Sequence, residues 1–285
     1  MNTSTKPFGS WEDAVSWLCA QPDRQDLVRA SYYDDPLLAS ATRYWQSEEW
    51  AGVRLLLPVA GGQALDVGAG RGIASFALAK DGFQVTALEP DGSALVGAQA
   101  IRSLAAASGL SIEVTQEFSE RLPFKDKQFD VVFARAVLHH TRDLAEACRE
   151  FLRVLKPGGV LIAVREHVIS RAEDLPAFLD IHPLHKLYGG ENAFELHQYC
   201  NAISAAGFEL KQVLAPLQSP INFAPYTLEG LQAEVAKRIG RKLLGLTPLL
   251  RATFRLPGAW RLVCALLQQA DHRPGRLYSF VARRP

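Results

Sequence analysis

The chain has 285 residues, 48% of them hydrophobic and 21% charged, with a formal net charge of +1. That length and balance suit one large soluble α/β domain with an appendage, and a charge so near zero gives no bulk pull towards nucleic acid. The four cysteines, Cys19, Cys148, Cys200 and Cys264, lie far apart with no CxxC pair, so they read as buried thiols of a reducing compartment and not as a zinc ribbon or redox motif. The start of the chain has no apolar stretch behind basic residues, and no run of about 18 apolar residues occurs. Neither a signal peptide nor a membrane-spanning helix is expected, and the expected location is cytoplasmic.

Residues 1 to about 60 read as helical, carry Trp11, Trp17, Tyr32, Tyr33, Tyr44, Trp45 and Trp50, and are punctuated by Pro36 and Pro58. QALDVGAG is then a strand ending in glycines, GIASFALAKDGF a helix, QVTALEP a second strand, and Ser93 to Ala107 a second helix. SIEVTQ and FDVVFARAV are the third and fourth strands, Leu144 to Leu155 an amphipathic helix, and GVLIAVREHV the fifth strand. Lys156-Pro157-Gly158-Gly159 reads as a turn after the helix. Strands alternating with helices of about a dozen residues give βαβ units and a parallel sheet. LHQYCNAISAAGF is a helix capped by Gly207, ELKQVLAP a sixth strand and RLYSFVARRP the last. The expected fold is α/β: a doubly wound, mostly parallel seven-stranded sheet in which the last two strands pair antiparallel. Its expected parts are a helical cap (1–58), a core (59–216), a helical insertion (217–275) and the final strand (276–285).

The turn from Leu65 to Gly72 lies between a strand and a helix, where glycines admit a ligand to the backbone and the helix start offers free N–H groups. Glu89 ends the second strand, placed to accept hydrogen bonds from both hydroxyls of a ribose. A dinucleotide fingerprint would need a third glycine where Ile73 stands. Asp66 followed by Gly68, Gly70 and Gly72 instead resembles motif I of the class I methyltransferases. Downstream, Glu120 to Phe124, Phe129-Asp130-Val131-Val132, Leu138-His139-His140 and Arg153 to Gly159 follow in that family's order. The resemblance covers roughly residues 60 to 165 and is closest to the branch with the ubiquinone and menaquinone biosynthesis methyltransferases.

The resemblance implies S-adenosylmethionine as cofactor and S-adenosylhomocysteine as its product. Asp66 and the backbone of Gly68, Ala69, Gly70 and Gly72 would hold the methionine part, Glu89 the ribose, and the backbone near Ser119 the adenine. Many relatives carry an aspartate before that last position; here Phe118 stands, either stacking on the ring or leaving the amine to Glu117. The Ala134–Arg135–Ala136 turn would lie beneath the methionine.

The cofactor's methyl group is already activated, so the protein has to align a nucleophile and exclude water. A hydroxyl acceptor is helped by a base titrating near working pH, which suits histidine. Polar candidates on the rim are His139, His140, Arg165, Glu166, His167, His182, His185 and Glu191; the expected catalytic set is His140, His182, His185 and Glu166. His182-x-x-His185 can place two imidazoles on one helical face. The alternatives there are turn caps and local stacking. No metal is expected, because Pro183 disturbs a regular helix and HxxH falls short of a full ligand set.

Between Glu234 and Asp271 there is no acidic residue, yet Lys237, Arg238, Arg241, Lys242, Arg251, Arg255 and Arg261 alternate with leucines and aromatics. Such a segment suits a lid over a long or anionic acceptor, a surface resting on an anionic membrane, or a merely solvated helical cap. The expected function is methylation of a small-molecule, glycan or lipid-linked acceptor, at oxygen. A carbon acceptor of quinone type and a non-catalytic cofactor-binding module are the alternatives. Nucleic acid is not an expected partner, since no (D/N)PPY segment and no Pro-Cys pair occurs.

Overall fold

The computed structural model describes residues 8–58, 61–188, 191–242 and 246–285. Its strands are β1 (Gln63–Val67), β2 (Gln84–Leu88), β3 (Ile112–Thr115), β4 (Phe129–Arg135), β5 (Leu155–Ile169), β6 (Phe194–Glu195), β7 (Glu209–Leu214) and β8 (Arg276–Arg283). The main sheet runs β3-β2-β1-β4-β5-β8-β7. β1 to β5 are parallel, and β8 runs antiparallel between β5 and β7. The main sheet is the expected seven-stranded one; the two-residue β6 adds an eighth strand beside the end of β5. The strand order reverses between β1 and β4, so their carboxyl ends open a crevice.

Four helices come first: α1 (Trp11–Cys19), α2 (Gln25–Ala30), α3 (Leu37–Trp45) and α4 (Glu48–Arg54). Next are α5 (Ile73–Lys80), α6 (Ala98–Ser108), α7 (Leu144–Val154), α8 (Leu175–Leu179), α9 (Pro183–Leu187) and α10 (Leu196–Ala205). The insertion holds α11 (Pro220–Phe223), α12 (Leu228–Lys242), α13 (Thr247–Phe254) and α14 (Pro257–Ala270). The amphipathic α7 buries Leu144, Ala147, Cys148, Phe151 and Val154, spaced three or four apart, on one face of the sheet. By contrast, α5 buries five successive residues from Ala74 to Leu78. A helix apolar all round needs cover on both sides. The N-terminal aromatics supply it: Tyr44 and Trp50 are fully buried and pack with Ala77, Leu78 and Phe133. Asp81 fastens that layer by accepting the indole N–H groups of Trp45 and Trp50, each at 2.7 Å.

Two expected elements shift. The helix expected from Ser93 starts at Ala98, because Leu95 N donates to Glu12 (2.9 Å) and Ala98 N to the Asp91 carbonyl (2.7 Å), which holds the preceding residues in a loop. Lys156 to Gly159 do not end the helix in a free turn. They bulge within β5, so that Phe129 faces Leu155 while Val131 faces Val160; Gly158 (φ +77°) donates its N–H to the Arg284 carbonyl, and Arg284 N donates to the Gly159 carbonyl. In the insertion, Phe223, Leu231, Ala236, Phe254, Trp260 and Cys264 form a small core of their own. Of the seven cations between Glu234 and Asp271, two have carboxylate partners among the described residues, drawn from the start of the same insertion: Arg238 pairs with Glu234 (2.7 Å) and Arg255 with Glu229 (3.6 Å). Among the described residues no helix is long and apolar enough to cross a membrane.

Candidate active site

Gly68, Gly70 and Gly72 leave β1 with φ of +59°, +54° and +83°, a region where side chains are strained. A Cβ on Gly68 would stand 2.7 Å from Val137, whereas one on Gly70 would meet nothing within 4 Å. The first glycine is therefore required by packing, and the second leaves open space on the turn. Ala69 N donates to the Leu88 carbonyl at 3.0 Å, lacing the turn to β2. Glu89 completes the lacing: its Oε2 accepts Gly70 N (2.7 Å) and its Oε1 accepts Asp91 N (2.9 Å). Each oxygen keeps a lone pair for a further donor. Asp66, 1% exposed, accepts the Ser75 hydroxyl at 2.6 Å and so ties β1 to α5. Burial raises both carboxyls to about 7, against the pull of these hydrogen bonds. The buried Arg71 reaches Asp35 (2.6 Å) and the Tyr32 carbonyl (3.2 Å), docking the N-terminal layer on the turn.

Ser119 is buried and donates to Glu120 at 3.1 Å, while the Phe118 ring is half-exposed with the Arg142 guanidinium 4.9 Å from its centre. Glu117 accepts Phe118 N at 3.0 Å.

The backbone is strained just past β4, with Ala136 at φ +57°, and within β5 at its register break against β8, with Arg165 at +61°. Arg135 does not offer a free guanidinium. It donates to Glu49 at 2.6 and 3.2 Å, and Arg165 Nη1 lies 3.7 Å from the same carboxylate. Burial alone would raise the Glu49 carboxyl, but the two guanidinium charges outweigh it and hold it below the ordinary value. Arg165 also donates to the carbonyls of Ile221 and Ala224, linking α11 to the sheet. Glu49 escaped sequence reasoning, since nothing local marks it among the helical residues of the N-terminal stretch.

The expected histidines do come together. Ring centres are 4.2 Å apart for His139 and His140, 4.7 Å for His139 and His167, and 5.1 Å for His182 and His185. His182 caps α9 and accepts Leu184 N at 3.2 Å, so it precedes the helix. Burial keeps His139 and His182 neutral, bringing His139 down to about 3 and His182 to about 4. The His140 side chain is 43% exposed and stands on the rim. Glu166 does not: it is fully buried, accepts Val137 N (3.1 Å) and His139 N (3.2 Å), and faces His139 Nδ1 at 2.8 Å. That placement corrects its expected position on the rim: Glu166 lies behind His139, away from the surface. Val137, which packs on Gly68, is thus also the residue that opens the histidine cluster.

The fold and its turn define a doubly wound, Rossmann-like α/β protein with a ligand site at the switch point. Residues 65–163 match the family described as a methyltransferase domain, which supports the resemblance to class I S-adenosylmethionine-dependent methyltransferases. The chain is 34% identical over 150 residues to 2-methyl-6-phytyl-1,4-hydroquinone methyltransferase of Synechocystis, covering 48% of this chain and 43% of that protein. It is 35% identical over 136 residues to a ubiquinone biosynthesis O-methyltransferase of Pseudomonas fluorescens, covering 42% and 56%. It therefore spans about half the length of these curated relatives. Crystal structures of a putative methyltransferase from Bacillus halodurans (21% identity, TM-score 0.56, 83% and 98% covered) and of the cyclase SpnF (22%, 0.55, 83% and 79%) share the fold. A cyclase among them means that the fold alone does not define the reaction.

Proposed function

We propose that the chain transfers a methyl group from S-adenosylmethionine to a hydroxyl of a small, quinol-like acceptor. The observation that carries this reading is the Glu89 clamp on a left-handed glycine turn. The clamp leaves two carboxylate lone pairs beside a backbone that is open at Gly70. The residues fit the cofactor: a cationic ligand suits a pocket whose buried carboxyls, Asp66 and Glu89, are short of positive charge. In this reading Gly68, Ala69, Gly70 and Gly72 hold the methionine part, Glu89 the ribose, and Phe118 and Ser119 the adenine. The backbone of residues 134–136, and not the Arg135 guanidinium, meets the methionine.

The cofactor supplies an activated methyl group; the chain has to bind, orient and exclude water. His140, whose side chain is 43% exposed on the rim, is the residue placed to take the hydroxyl proton. Glu166 orients His139 beside it, and His182 and His185 wall the same pocket. Residues 217–275 are read as a lid whose cations meet an anionic group of the acceptor or an anionic membrane, appended to a core of 59–216 and 276–285 under the 1–58 cap. The names of the two relatives support a quinol-like acceptor.

The test uses methyl-labelled S-adenosylmethionine with a panel of quinols and catechols, the position of the label in the product being read by mass spectrometry. Label on oxygen, diminished at least about tenfold in His140→Ala, is expected. Label on ring carbon would replace oxygen as the acceptor atom. Tight cofactor binding with no transfer to any of them would leave a binding module.

A further inference from the structure

The histidine cluster contains an electrostatic mismatch that the proposed function does not use. Glu191 Oε2 lies 3.7 Å from His139 Nε2, 3.7 Å from His140 Nε2 and 4.0 Å from His185 Nε2. The Glu191 side chain is 7% exposed, and this oxygen has no hydrogen-bond donor among the described residues. The imidazoles cannot all supply one. His139 Nδ1 faces Glu166, which already accepts two backbone N–H groups as a carboxylate would, so the ring proton belongs on Nδ1. His185 Nδ1 faces the Phe178 carbonyl at 3.4 Å, which places its proton on Nδ1 as well. Both rings therefore turn an Nε2 lone pair towards an oxygen that also has only lone pairs. His140 Nε2 is the remaining ring atom able to donate, and at 3.7 Å it makes no hydrogen bond to this oxygen; a point ringed by acceptors and short of positive charge suits a cation.

We propose that His139, His140 and Glu191 bind one divalent cation of the zinc type, with His185 as the nearest further donor. Ligand atoms of His139, His140 and Glu191 all lie within 4.8 Å of one another. In a tetrahedral site with bonds of about 2.0–2.1 Å the donors stand roughly 3.4 Å apart, so closure needs shifts of a few tenths of an ångström at the 3.7 Å pairs and a turn of the two imidazole rings, whose donor atoms lie within 4.8 Å, towards each other. Imidazole with a single carboxylate selects zinc and its first-row neighbours over magnesium or calcium. Glu166 behind His139 supplies the carboxylate–histidine support that metal-binding imidazoles use. This ligand set differs from His182-x-x-His185, whose shortness had argued against a metal. The exposed edge of His140 leaves one coordination position facing the rim, for an oxygen of the acceptor. That last assignment, unlike cation binding itself, rests on the methyltransferase reading; with the cation bound, His140 is a ligand and no longer the proton acceptor, and the cation would instead lower the pKa of the acceptor hydroxyl.

The experiment takes the full chain without an affinity tag, strips it with chelator, and titrates it with Zn2+ and separately with Co2+. One Zn2+ per chain and the visible absorption of tetrahedral Co2+ are expected. Glu191→Gln and His140→Ala, each checked for fold by circular dichroism, should weaken Zn2+ binding by more than the roughly 10–100-fold that a supporting partner is worth. No stoichiometric uptake by the wild type, or equal uptake by the variants, overturns the proposal. S-adenosylhomocysteine affinity, measured on the same samples, separates the two readings. Normal affinity without metal uptake removes the metal site alone, and metal uptake without that affinity removes the methyltransferase reading alone.

Discussion

Two buried glutamates near the carboxyl ends of β4 and β5 are treated in opposite ways. Glu49 is 1% exposed and flanked by the guanidinium groups of Arg135 and Arg165, which hold its carboxyl below the ordinary value. Glu191 is nearly as buried but faces three imidazoles and no hydrogen-bond donor among the described residues, and burial raises it to about 7. The first carboxylate is neutralised by the chain itself and joins the N-terminal layer, the sheet and α11. The second is left incomplete. Asp66 and Glu89 belong with the second kind, since hydrogen bonds hold them but no cation does. On the proposed readings, the difference separates groups that build the scaffold from groups that would meet a charged ligand.

The largest expected effect tests the scaffold side. Glu49→Ala strands two buried guanidinium charges and should cost about 3–5 kcal/mol of stability. Glu191→Gln, which removes an unpartnered charge, should change it by less than about 1 kcal/mol in the metal-free chain. Urea unfolding midpoints compare them directly; equal losses would make Glu191 another scaffold residue and erase the contrast.

The contrast also sets the pH response. Asp66 and Glu89 are raised to about 7, so the folded chain holds protons that the unfolded chain releases. Their stabilising contribution is complete below the ordinary carboxylate range and is lost as pH rises through about 7. Glu49, which is lowered, contributes in the opposite sense: its stability is present above the ordinary value and lost as pH falls through its depressed pKa. The ligand-free chain should therefore unfold at lower urea near about pH 8 than near about pH 6, by about 1.4 kcal/mol per carboxyl. Cofactor affinity should rise over the same interval, by up to about tenfold for each carboxyl that must ionise. A midpoint and affinity that are flat across that range would show that neither carboxyl is raised.

How far the sequence reaches follows the same line. The glycine turn was legible because its residues are contiguous and each left-handed glycine leaves a local signature; Glu89 follows at the end of the next strand. The β7–β8 pairing was legible because a single late segment alternates like a strand. Glu49 was not, because its partners Arg135 and Arg165 lie 86 residues and more along the chain and only the fold brings them together. The burial of Glu166 was equally hidden: the sequence placed it on the rim after β5, but the strain at Arg165 and the N–H groups of Val137 and His139 draw it inwards. The late start of α6 depends on Glu12 of α1, a contact no local pattern contains.

The smallest expected effect concerns the insertion. Arg238 and Arg255 make ion pairs in which both arginines are largely exposed. Arg238→Ala and Arg255→Ala should each shift stability by no more than about 0.5 kcal/mol, read by the same urea midpoints. A larger loss would mean that these cations hold the insertion together.

The most direct test of the account is calorimetric titration of the wild-type chain and Glu89→Ala with S-adenosylmethionine and S-adenosylhomocysteine. The account predicts one site per wild-type chain. In the variant the ribose loses its charge-assisted acceptors and Gly70 its fastening, so affinity should fall at least about tenfold. Unchanged affinity in a folded Glu89→Ala variant, or no binding of either ligand to the wild type, would contradict it.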